Sequence, residues 1–314
     1  MVVVAEGVLD LYPRFSLYNS PYVAHDEGCA IDLYPQSEAD RNSTERATAA
    51  PSPVAGEVIA TRTVSAPPKP YAVDHDHLVV VDTGEHLARM LHVDPGVEPG
   101  DEVAVGDSLG EMVRSGFFAP WVDNHIHLGF RERDANPFRA SGSLPVEVGV
   151  EPIPVAWDGR GTVVERADTY VVLDSPDHPA PGERFAGVAC DEGGVSASEA
   201  SRGSSGEATE SDGVLDGGLA HYEGGGVLGA GGFGSGASDA SETAAVAAVS
   251  LAGQRVGTAE GRTVAWDDVT VLANGTPITG VSLFCSRRAG FGVKLVCPDA
   301  GFEVGEEVEV RFEG

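Results

Sequence analysis

The chain has 314 residues, of which 42% are apolar, enough for two ordinary domains with a sizeable core. It carries 49 acidic against 20 basic residues, a formal net charge of -29. That balance argues against nucleic acid as a direct partner, because phosphate binding needs clustered Lys and Arg. The acids are spread along the whole length, and Lys69 and Lys294 are the only lysines. An even carboxylate coat with few lysines reads as that of a halophilic protein, in which high salt screens the self-repulsion, rather than as that of an acidic interaction protein, which concentrates its charge in blocks.

The first residues, Met1-Val2-Val3-Val4-Ala5-Glu6, lack the basic and apolar regions of an export signal. No apolar run approaches the ~20 residues of a membrane span. The four cysteines, Cys29, Cys190, Cys285 and Cys297, form no CxxC pair, so a thiolate zinc site is not expected and buried reduced thiols are. The chain therefore reads as cytoplasmic.

Along the chain, helical periodicity is nearly absent. Short valine-rich runs separated by Gly, Pro and Asp predict an all-β protein. Residues 1–140 form a first β domain, with strands at 56–63, 77–82, 86–92, 102–105 and 124–131 and an exposed loop at 36–53. Residues 146–190 and 243–314 form a second, smaller β domain, with strands at 161–165, 170–174, 246–251, 263–272, 278–285, 292–297 and 308–312. Between its two parts, residues 191–242 are dominated by Gly, Ser, Ala, Asp and Glu. They read as a flexible insertion that cannot offset its own ordering entropy, with 215–221 docking locally.

The chemistry centres on Asn124-His125-Ile126-His127-Leu128-Gly129-Phe130. In a strand the side-chain period is two, so His125 and His127 share a face. Two imidazoles there can hold a metal together, or one can hold it while the other moves a proton. The other H-x-H pair, His75 and His77 in Asp74-His75-Asp76-His77, reads as a solvated turn, Asp82 and Asp101 as turn residues, and His178 and His221 as bystanders in loops. Upstream, Asp82-Thr83-Gly84-Glu85 supplies a hairpin turn. Val97 to Gly110 follows the pattern V-x-x-G-D-x-V-x-x-G-x-x-x-G, whose glycines mark tight turns.

These elements, in this order, resemble the lysostaphin-type (M23) zinc metallopeptidases over about residues 20–140. Ser52-Pro53-Val54-Ala55-Gly56-Glu57-Val58 resembles that family's opening strand. Leu91-His92 matches the histidine of its Y-x-H-L strand without the aromatic. Val97 to Gly110 matches its hairpin, and His125 to Arg131 resembles its H-L-H-F-E-V-R strand, with Asn136-Pro137 after it. Ala30-Ile31-Asp32-Leu33 looks like its G-I-D-apolar stretch. The resemblance implies an M23-like β-sandwich and one zinc held by His25, Asp32 and His127, with His125 and His92 serving proton transfer and the oxyanion. His25 stands seven residues before Asp32 where the family has four. Either a three-residue bulge brings it to the metal, or Asp26 or Glu27 replaces it, or the metal is lost.

The same hairpin occurs in lipoyl and biotinyl carriers, but Arg114 stands near the place of the carrier lysine and cannot form the amide. The expected function is zinc-dependent hydrolysis of a peptide or amide bond. The family's usual substrate, peptidoglycan cross-links, fits poorly in a cytoplasm. The rival reading is a non-catalytic M23-like module that binds a protein partner, with its metal structural or absent.

Overall fold

A computed structural model describes residues 1–35, 47–192, 213–229 and 246–314. The chain is almost all β, as its valine-rich periodicity predicts. Two four-residue helices, Glu6–Leu9 and Val23–Asp26, are the helical elements among the described residues. No helix among those residues is long and apolar enough to cross a membrane. All four cysteines are buried and none is in a disulfide.

The chain divides into two compact units. The first comprises Met1–Leu17 and Tyr22–Val150, the second Tyr18–Pro21 and Glu151–Gly314. Within the first unit seven strands lie side by side, each antiparallel to its neighbour. Their order is Arg14–Ser16, Ala30–Tyr34, Ile126–Glu132, His86–Leu91, His75–Asp82, Gly56–Ser65 and Glu102–Val103. Ile31, Leu33, Val79, Val81, Met90, Ile126 and Leu128 are all buried. Two strands, Ala30–Tyr34 and Leu78–Val81 of His75–Asp82, are buried on both faces, which is why they read as apolar runs rather than as an alternation.

A smaller antiparallel sheet places Ser108–Met112 between Ala49–Pro51 and Val93–Pro95. The predicted loop at 36–53 is thus corrected at its end. Ala49–Pro51 is a strand, while 36–46 lie outside the described residues. Aspartates close the two turns of the predicted hairpin, as Asp101 Oδ2 accepts from the Glu98 N–H at 2.9 Å and Asp107 Oδ2 from the Ala104 N–H at 2.8 Å.

The second unit holds a sheet of thirteen strands, with Ile153–Val155, Ala186–Val188 and Cys285–Ser286 paired outside it, around a core that includes Leu173, Val188, Leu215, Leu251, Leu283 and Phe291. Residues 191–242 are not one flexible insertion. Val214–Leu219 is fully buried and pairs with both Gly224–Leu228 and Gly280–Leu283. The glycines have a steric cause. A Cβ at Gly225 would sit 2.2 Å from the Trp266 ring, and one at Gly226 would sit 2.2 Å from the Tyr18 ring. The glycines leave room for the Trp266 and Tyr18 rings to lie close against the backbone, beside the buried Val227 and Leu228 of the same strand. The rest of that segment, 193–212 and 230–242, lies outside the described residues.

Candidate metal centre

The antiparallel register of the first unit sets His127 directly opposite Asp32 on one side and opposite Leu91 on the other, with His92 the next residue along. Directly opposed residues have Cβ atoms about 5 Å apart, so the sheet itself brings the carboxylate and the imidazole together. His125 lies just outside the strand, which begins at Ile126 rather than at 124. It keeps the predicted face nonetheless. Its Nε2 is 3.4 Å from Asp32 Oδ2, while His127 Nδ1 is 3.1 Å from Asp32 Oδ1.

His25 arrives from the helical turn Val23–Asp26. The coiled backbone takes up the three extra residues, so His25 Nε2 stands 3.3 Å from Asp32 Oδ1 and 3.0 Å from His127 Nδ1. His25, Asp32 and His127 therefore converge, and His125 and His92 stand beside them. The His92 ring is 5.1 Å from that of His125 and 5.9 Å from that of His127, centroid to centroid.

The protons of this cluster are constrained by its surroundings. His25 Nδ1 donates to the Leu17 carbonyl, and His125 Nδ1 donates to the Asp123 carbonyl at 2.9 Å. In a neutral ring the second nitrogen then carries a lone pair. With His25 neutral, its Nε2 and Asp32 Oδ1 are both acceptors, and one proton on His127 Nδ1 can serve only one of them. A cation bound by all three atoms resolves the conflict. The three separations of 3.0, 3.1 and 3.3 Å are close to the ~3.3 Å edge of a tetrahedron built on zinc bonds of roughly 2.0–2.1 Å. The donor set of two imidazoles and one carboxylate suits zinc and leaves a fourth position open.

Residues 3–148 match the N-terminal domain, and residues 153–313 the C-terminal domain, of a family described as a domain of unknown function, DUF8155. The chain belongs to the DUF8155 family. No curated protein matches it. All five cluster residues fall in the part matched by the DUF8155 N-terminal domain.

Burial governs the electrostatics of this DUF8155 site. It pushes the His125 imidazole down to about 3 and that of His127 to about 4, against an ordinary 6.5, with Asp32 opposing in both cases. Both rings are neutral at pH 7, as metal binding and proton acceptance require. For Asp32, burial favours the neutral acid. The surrounding imidazoles of His125, His25 and His127 outweigh it, and the carboxyl is held well below its usual range.

One residue of the site escaped the sequence reading. Asp76 is not in a solvated turn. It lies in the strand His75–Asp82, fully buried, with Oδ2 2.6 Å from His92 Nδ1. The signal was its phase, since Asp76 shares a strand face with Leu78 and Val80, both in the core. His92 itself adopts φ +74, a conformation that costs a non-glycine residue on the order of 1–2 kcal/mol.

Proposed function

We propose that the chain is a zinc-dependent hydrolase of a peptide or amide bond, similar in plan to the lysostaphin-type metallopeptidases. The observation that carries this reading is the mutual approach of His25 Nε2, Asp32 Oδ1 and His127 Nδ1 within 3.0–3.3 Å. These three side chains would hold the metal. Bound zinc would polarise the scissile carbonyl and bring the pKa of a water toward neutrality. His125, neutral and with its Nε2 lone pair available, accepts a proton from the attacking water. His92 lies within reach of the same space and serves the developing oxyanion or the leaving group. Four buried cysteines outside any disulfide suit a reducing cytoplasm.

A second reading has its own support. The side chains of His25, Asp32 and His127 are only 1%, 4% and 14% exposed. Such enclosure suits a structural metal in a non-catalytic module that binds a peptide or protein partner. Activity separates the two. The zinc-loaded full chain is incubated in high salt with a pooled library of quenched-fluorescent peptides and N-acyl amino-acid amides. The hydrolase reading expects new amino groups from the wild type and a loss of about 10²–10⁴-fold in His125→Ala, which should still hold its zinc. A wild type that carries one zinc and releases nothing favours the structural metal.

A further inference from the structure

Asp76 is 0% exposed, and a buried carboxylate needs partners for its charge. It has three. The His77 backbone N–H donates to Oδ1 at 2.6 Å. The Ser115 hydroxyl, 39 residues along the chain, donates to Oδ2 at 2.6 Å. His92 Nδ1 meets the same Oδ2 at 2.6 Å. Fold and site thus share one carboxylate, since two of its donors belong to the scaffold and the third is the ring beside the metal cluster.

The strands hold this contact in place. His92 follows the strand His86–Leu91, takes φ +74, and is pinned by its N–H to the His77 carbonyl at 3.1 Å and by its carbonyl to the Val113 N–H at 2.9 Å. Phe118 packs edge-on against the ring at 4.6 Å. The imidazole therefore has one orientation, with Nδ1 on Asp76 and its other edge turned away from that carboxylate.

We propose that Asp76 is the positioning residue of the site, holding His92 as the Nδ1–H tautomer so that Nε2 remains its reactive nitrogen. This inference rests on the hydrolase reading for its catalytic meaning, but not for its structural content. An ionised carboxylate can only accept, so His92 Nδ1 must carry the proton. The orienting partner of an imidazole near a metal commonly sets its tautomer in this way.

The arrangement also fixes what Asp76→Asn does. The His77 N–H can only donate, so the amide oxygen must take the Oδ1 position. The amide NH₂ then occupies the Oδ2 position and donates to His92 Nδ1, which forces the ring to the Nε2–H form. The metal ligands are untouched.

The test uses the ¹⁵N-labelled, zinc-loaded full chain. Long-range ¹H–¹⁵N spectra are recorded with the imidazoles neutral, and His92 is assigned by the signals lost in His92→Gln. The expected result is Nδ1–H in the wild type and Nε2–H in Asp76→Asn, with about one zinc per chain in both and peptide-pool hydrolysis at least 100-fold lower in the variant. An Nε2–H wild type overturns the proposal without any variant, so a poorly folded Asp76→Asn does not shelter it. An unchanged tautomer in a folded variant overturns it as well, as does unchanged hydrolysis. A wild type that shows the Nδ1–H form and carries zinc but does not hydrolyse the peptide pool overturns the hydrolase reading, while the tautomer result upholds the role of Asp76.

Discussion

Burial gives His125 and His127 their neutral rings, and the same burial makes the metal-free protein sensitive to acid. Their folded pKa values lie near 3 and 4, below the 6.5 expected when unfolded. Between those values the unfolded state binds the more protons, so the stabilisation is complete above about pH 6.5 and is lost as the pH falls through that window. Each ring contributes a slope of up to about 1.4 kcal/mol per pH unit. Urea unfolding of chelator-treated wild type and His125→Gln at pH 7 and pH 5 checks this. The wild type should lose more stability than the variant over that interval, and an equal loss in the two contradicts it. At this scale much of the site was legible. Period-two spacing placed His125 and His127 on one face; the register sets His127 opposite Asp32, and His125, just before the strand, still reaches the same carboxylate. The role of the Val23–Asp26 turn was not legible, because four residues are too short for a periodic signal. Asp76 was hidden by its polar neighbours Asp74, His75 and His77, which together look like a solvated turn.

Among the elements, the hairpin glycines separate two kinds of constraint. Gly100 has φ +102 with nothing near where a Cβ would stand, so only the backbone conformation resists a side chain. Gly110 has φ +135, and a Cβ there would lie 2.1 Å from the Asp94 carbonyl oxygen and 2.5 Å from the Gly96 nitrogen. Its strand pairs with both Ala49–Pro51 and Val93–Pro95. Gly100→Ala should cost about 1 kcal/mol and Gly110→Ala about 3 kcal/mol, read from urea midpoints of the two variants. Equal costs would mean that the close strand approach is not enforced. This hairpin announced itself because its glycines fall among valines at fixed spacing. The hairpin Val214–Leu219 and Gly224–Leu228 did not, because Gly-rich sequence carries no β-propensity of its own. It is a strand pair because Trp266 and Tyr18 lie on it, and nothing local in the sequence says so.

For the whole molecule, a net charge of -29 spread over the surface stores self-repulsion that salt removes. The Debye length falls from about 8 Å at 0.15 M to about 3 Å at 1 M salt. The thermal midpoint should therefore rise by about 5 °C or more between 0.15 and 2 M KCl, as scanning calorimetry would show. A flat or falling midpoint contradicts the halophilic reading. If one metal sits among His25, Asp32 and His127 of the DUF8155 N-terminal unit, it appears in the metal content of the purified chain. The full chain is purified in high salt with zinc supplied, freed of loose metal, and analysed by mass spectrometry for zinc per chain. The wild type should hold close to one zinc and His127→Ala almost none. Less than about a tenth of a zinc per wild-type chain would contradict it, since zinc sites of this donor chemistry hold their ion nearly stoichiometrically.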